Sequence, residues 1–218
     1  MPTATAPYHH GDLRAACLRA ALELLEEDGT AGVSIRAVAR RAGVAPSAPY
    51  RHYADRDALV SAVAAVGYSE LAESLAAASP TPSTPEDLAA VAVAYVQFAL
   101  QRPALFRVMF SEPCDRDSRE RVAATAAITE YVLDIVRRCF PGADAESLAI
   151  AVWALVHGLA FLHLDGKFDA STTGAVANRV EAAVHALLTA SRTMAPALGA
   201  GTVEVMDQSS RGRRARAR

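Results

Sequence analysis

From Leu13 to about Thr193, apolar residues recur at three- and four-residue steps, and no alternating β-branched run of strand length interrupts them. That periodicity commits the chain to helices packed on helices, an all-α fold. The length of 218 residues, with 52% hydrophobic and 21% charged side chains, is enough to enclose a core in one large domain or two small ones. Cys17, Cys114 and Cys139 lie far apart with no CxxC pair, so neither a zinc knuckle nor a disulfide framework is expected. No uninterrupted apolar run of about 18 residues and no signal-like N-terminus is found, so a cytoplasmic location without membrane contact is expected.

Punctuation divides the helices. Residues 11–28 place Leu13, Cys17, Ala20 or Ala21, and Leu24 on one face, and Gly29 stops that helix. Ser34 is a plausible N-cap for a short helix to Ala42, ended by Gly43; another short helix is expected from Pro46 to about Tyr53, and Asp55 caps a long one reaching about Ala78. The Ser79-Pro80-Thr81-Pro82-Ser83-Thr84 stretch cannot continue a helix, and Thr84 followed by Pro85 reads as a fresh N-cap with proline in the first turn. Residues 1–80 and 84–195 are therefore expected to form two domains. In the second, helices are expected over residues 86–102, 103–110, 118–140, 145–164 and 173–193.

The net charge of −2, from 22 basic against 24 acidic residues, excludes a uniformly basic surface. Its distribution is more informative. Residues 196–218 read as an unfolded basic tail, and without residues 207–218 the count is 17 against 23, so an acidic body is masked by five arginines. The tail could add nonspecific DNA affinity or merely solubilise the chain.

Positive charge also gathers in residues 34–59, SIRAVARRAGVAPSAPYRHYADRDAL, where a capped helix, a tight turn at Gly43 and a second short helix follow one another. This is a helix-turn-helix pattern, in which the second helix is held by the first so that its N-terminal end enters a major groove. Over residues 34–56, Arg36, Arg40, Arg41, Arg51 and Arg56 stand against Asp55 alone. Phosphate contact requires such a concentration of charge. Val44, Pro49 and Tyr53 are expected to face the small core, with Tyr50, Arg51 and His52 outward.

The Ala42-Gly43-Val44 turn, the Tyr50-Arg51-His52-Tyr53 block and the Asp55-Arg56-Asp57-Ala58-Leu59 string resemble the signature of the TetR family of transcriptional regulators. The opening Tyr8-His9-His10-Gly11-Asp12-Leu13-Arg14, with Trp153, His157 and Gly158 further on, is similar to a subgroup with a WHG-type C-terminal domain. The resemblance implies base-edge contacts near Arg36, Pro46, Ser47 and Ala48, and phosphate contacts from Tyr50, His52 and Arg56. Ser34 and Arg51 complete the expected DNA-binding set. Ala45 stands where that pattern usually has a capping Ser or Thr, so the recognition segment is expected to be weakly capped. Pro49 is expected to remove one early hydrogen bond only.

The apolar surface on the last two long helices exceeds what one chain can cover, which implies a homodimer and a near-palindromic operator read in major grooves about 34 Å apart. Tyr95, Phe98, Met109, Tyr131, Trp153 and His157 are the expected lining of a pocket for a small, largely apolar effector that releases a repressor from DNA. Trp153 and His157, one turn apart, could equally be a core pair. No nucleophile, carboxylate pair or metal-spaced cluster converges, so neither catalysis nor a cofactor is expected, although His163, Asp165 and Lys167 lie near one another in the sequence. Two other readings stay open: an effector-independent DNA-binding dimer, and an all-α small-molecule carrier or enzyme.

Overall fold

The computed structural model describes residues 13–110 and 118–198, with side chains through residue 190. Residues 8–12, Cys114 and the basic tail at 211–218 lie outside the described residues. Among the described residues every regular element is helical: α1 (Leu13–Asp28), α2 (Ile35–Arg41), α3 (Arg56–Ala78), α4 (Pro85–Gln101), α5 (Pro103–Phe110), α6 (Arg119–Cys139), α7 (Ala145–Leu164) and α8 (Thr173–Leu198). Short 3-10 turns sit at Thr30–Gly32 and Pro49–Arg51.

The helix starts follow from side-chain caps. Ser34 accepts from the Ala37 amide at 3.2 Å and Asp55 from the Ala58 amide at 2.8 Å. Thr84 and Asp87 form a reciprocal capping box at the start of α4. Arg102, held before Pro103 at φ −126° and ψ 56°, breaks the helical path, and α5 turns 106° away from α4. Helix α8 runs past Pro196 to Leu198, beyond the expected end near residue 193, through a run with the strong helix formers Met194, Ala195 and Ala197.

Two packed groups share α3, a helix about 34 Å long at 1.5 Å per residue. Helix α1 is the hub of the first, packing on α2, α3 and both 3-10 turns through Cys17, Ala21, Leu24 and Leu25. Helix α4 is the hub of the second, buried against α3, α7 and α8 through Val91, Tyr95, Val96 and Ala99. The second half of α3 meets this group through Tyr68, Leu71 and Leu75.

Helices α3 and α7 are long and apolar enough, by length and composition, to cross a membrane. A search for uninterrupted apolar runs overlooks them. In α3 the large apolar residues Leu59, Val60, Val63, Leu71 and Leu75 are buried within the bundle. Helix α7 buries Leu148, Val152, Val156 and Leu159 inward, whereas Ile150, Ala154, Gly158 and Leu162, four residues apart, form an outward apolar stripe.

Candidate DNA-binding surface and cavity

Helix α2 ends in a Schellman turn. The Val44 amide donates to the Ala39 carbonyl at 3.0 Å and the Gly43 amide to Arg40 at 3.3 Å, with Gly43 at φ +67°, where a side chain would be strained. The chain reverses here and presents residues 45–52. No α-helix forms over 46–53 as expected from the sequence. Pro49 has no N–H to reach Ala45, and Ala45 offers no cap. The segment closes instead by short-range bonds from Ala48 to Ala45, Arg51 to Ala48 and His52 to Pro49, and only the Tyr53 amide, bonded to Pro49 at 3.0 Å, makes a helical step. Pro49 therefore costs more helix than one lost bond.

This segment is nonetheless anchored. Pro49 and Tyr53 are buried, and the Tyr53 hydroxyl donates to the Arg14 carbonyl at 3.3 Å. Pro46, Ser47, Tyr50, Arg51 and His52 are exposed, Tyr50 by 53%, and Ala48 is half-buried. Arg36 and Arg40 project from α2 into solvent beside them.

The other two arginines are engaged within the fold. Arg41 pairs with Glu27 and, at 3.3 Å, with Glu23 on α1. Arg56 donates from Nε to the Val33 carbonyl at 3.0 Å and from Nη2 to the Thr30 carbonyl at 2.9 Å, which ties α3 to the loop before α2. Sequence could assign neither, because both partners are remote in the chain. The side-chain oxygen of Ser34 caps α2, and its proton remains for another acceptor.

In the second group, α3, α4, α5, α6 and α7 surround a cavity of about 280 Å³. Tyr95 and Trp153 of the expected lining reach it, together with Ile128, Val132 and Leu133 of α6 and Glu146 of α7. The Tyr95 hydroxyl lies 2.9 Å from His157 Nδ1, and the Trp153 indole is close to it. Burial pushes the Tyr95 phenol pKa well up and lowers that of the His157 imidazole. His157 stands behind the wall, ringed by Phe106, Phe110 and Phe161 with centroids 4.7 to 5.9 Å away.

Phe98 and Met109 are buried in the core, and the hydroxyl of Tyr131 points to the Leu75 and Ser79 carbonyls, each at 3.4 Å. None of the three is part of the cavity wall. His163, Asp165 and Lys167 do not converge either. His163 is buried with Nδ1 2.7 Å from the Leu159 carbonyl and Nε2 2.9 Å from Arg179, while Asp165 pairs with Arg107 at 2.7 Å.

Residues 18–63 match the family model described as bacterial regulatory proteins, tetR family, and residues 88–188 match the tetracyclin repressor-like C-terminal domain. A solved structure of a protein of unknown function from Rhodococcus sp. RHA1 is 34% identical, covering 83% of this chain and 97% of that one with a TM-score of 0.70. This chain belongs to the TetR family. A TetR-like transcriptional regulator from Rhodococcus sp. RHA1, 19% identical with a TM-score of 0.61 over 84% of this chain and 99% of that one, shares the fold.

Among curated relatives, an HTH-type transcriptional regulator of Mycobacterium bovis is 34% identical over 92 residues, 41% of this chain and 39% of that protein. The chain thus spans about two fifths of that relative's length. The HTH-type transcriptional regulator BetI of Rhizobium meliloti is 27% identical over 152 residues, 67% of this chain and 75% of that protein. The N-terminal TetR model ends within α3, so the signature covers α1, α2, the exposed segment and the start of the shared helix.

Proposed function

We propose that the chain is a sequence-specific DNA-binding repressor, working as a homodimer, that leaves its operator when a small, largely apolar molecule occupies the cavity between α3 and α7. The observation that carries this reading is the exposed 45–52 segment, anchored by Pro49 and Tyr53 and flanked by Arg36, Arg40 and Arg51. Residues 1–80 act as the DNA-binding domain and 84–195 as the ligand-binding and dimerisation domain, in the bacterial cytoplasm that holds the DNA.

Arg36 reaches base edges, and Pro46, Ser47 and Ala48 lie close to the groove floor because none carries a bulky side chain. Tyr50, Arg51, His52 and the hydroxyl proton of Ser34 address phosphates. Arg56 acts indirectly, by holding the loop that precedes α2. Direct readout is sparse, so sequence-dependent DNA shape carries much of the selectivity.

Dimerisation uses the α7 stripe and the neighbouring outer face of α8, where Ala182, His185, Ala186 and Thr189 are exposed. A two-fold axis there gives an isologous four-helix contact and a near-palindromic operator. The cavity favours an effector-controlled protein over an effector-independent dimer. Helix α6 links the two functions: its middle turns wall the cavity, and its first turn carries Glu120, paired with Arg14 of α1.

The test is binding to fluorescent duplex DNA across a salt series, with Arg36→Ala, Arg40→Ala and Arg51→Ala beside the natural chain. Each variant is expected to weaken binding, and Arg40→Ala and Arg51→Ala to lower the salt slope by about one. Affinities and slopes unchanged in all three variants would overturn the assigned surface.

A further inference from the structure

The hydrogen-bond bookkeeping of the cavity wall specifies the headgroup of the molecule it takes. This inference rests on the reading of the cavity as a ligand site and goes beyond it. The polar side chains among the described lining residues are Tyr68, Tyr95, Thr125, Thr129, Glu146 and Trp153. The hydroxyl protons of Tyr68, Thr125 and Thr129 are already committed. The Tyr68 hydroxyl donates to the Met109 carbonyl at 3.0 Å, Thr125 to the Arg121 carbonyl at 2.9 Å and Thr129 to the Thr125 carbonyl at 3.1 Å. A carbonyl can only accept, so the hydroxyls must be the donors. The Tyr95 hydroxyl is paired with Nδ1 of His157 at 2.9 Å, and the Trp153 indole lies close to it.

What the threonines of α6 and the start of α7 offer the cavity is a set of oxygen lone pairs and one carboxylate, Glu146, which is exposed. No lysine, arginine or histidine is among the described lining residues. A carboxylate or phosphate headgroup there would meet acceptors and a negative charge, losing its hydration with no cationic side chain to replace it. A headgroup that brings its own protons meets the opposite situation.

We propose that the cavity selects an apolar molecule bearing a hydrogen-bond donor, specifically a protonated amine whose cation lies against Glu146, and discriminates against fatty acids and other amphiphilic anions. The apolar body rests on Ile128, Val132 and Leu133, and the ammonium group supplies donors to Glu146 and the threonine oxygens. Rejection of anions is part of the specificity, because like charge and unmatched acceptors act together against them.

The experiment uses the intact protein and its only tryptophan, Trp153, as the reporter on the cavity wall. Emission is titrated at pH 7.5 with n-octylamine, n-octanol and n-octanoate, which share a tail and differ in headgroup, and calorimetry is run in parallel. The amine is expected to bind about tenfold or more tighter than octanoate, with octanol between them. Glu146→Gln is expected to remove the advantage of the amine over octanol while leaving octanol affinity within about twofold. Octanoate binding as tightly as the amine, or an amine advantage that survives Glu146→Gln, would overturn the proposal. If no octyl compound, octanol included, changes the emission or releases heat, the ligand-site reading itself fails and takes the proposal with it.

Discussion

Arg14, in the first turn of α1, is ion-paired with Glu120, in the first turn of α6. The Arg14 carbonyl also receives the Tyr53 hydroxyl at the end of the exposed segment, and five residues beyond Glu120 the cavity wall begins at Thr125. The separation is about 7.5 Å along the helix axis. In the proposed mechanism a shift of α6 imposed by a bound molecule would pass through this contact to the base of the DNA-facing segment, and Glu120→Gln separates this coupling from folding. Both partners are about half exposed, so the substitution is expected to change stability by less than about 1 kcal/mol. The factor by which saturating n-octylamine weakens DNA binding is expected to fall toward one, and paired DNA titrations with and without the amine measure it. An undiminished factor would remove this contact from the route.

Arg56 and Arg40 are expected to fail in different ways. Arg56→Ala loses two bonds from a charged donor to loop carbonyls and is expected to destabilise the fold by about 1 to 3 kcal/mol. Arg40→Ala, on the exposed side of α2, is expected to leave stability within about 0.5 kcal/mol and to weaken DNA binding. Urea denaturation beside DNA titration distinguishes them. Unchanged stability in Arg56→Ala with weaker DNA binding would return its guanidinium to the phosphates.

These arginines mark the limit of what the sequence made legible. Local signals read correctly: the Ser34, Asp55 and Thr84 caps, the Gly43 turn and the Pro103 break each depend on neighbours within a few residues. Charge count, by contrast, could not show that Glu23 and Glu27 of α1 hold Arg41. The cavity was only half legible. Large residues such as Phe98 and Met109 attract attention, but they fill space and are buried, whereas the void lies beside the smaller Thr125, Ile128, Thr129 and Val132 of α6. Their spacing looks like an ordinary amphipathic face, although a helix lined with threonine and alanine where a core is expected was a usable signal.

The outward stripe on α7 predicts the oligomeric state. Ala154→Glu and Leu162→Glu each place a carboxylate on an apolar surface that is exposed in one chain and that the proposed dimer would cover. Sedimentation equilibrium is expected to give twice the 22.9 kDa chain mass for the natural protein and the single-chain mass for the variants. Unchanged dimers would move the interface elsewhere.

His157 makes stability depend on pH. Its folded pKa lies below the ordinary value of 6.5 because burial disfavours the imidazolium. The unfolded chain therefore binds more protons just below pH 6.5, and the contribution present above that pH is lost as pH falls toward the folded pKa. Its replacement His157→Asn keeps a hydrogen-bonding side chain near Tyr95 and removes the titration. The drop in Tm between pH 7.5 and pH 5 is expected to be smaller in the variant, and an equal drop would assign the loss to other groups.

The central claim, a dimer that reads DNA sequence, is tested most directly by selecting random duplexes on the purified protein at about 150 mM salt and sequencing what is retained. An inverted repeat whose half-site centres lie about one helical turn apart or a little more is the expected result. Retention without enrichment of any sequence would contradict it.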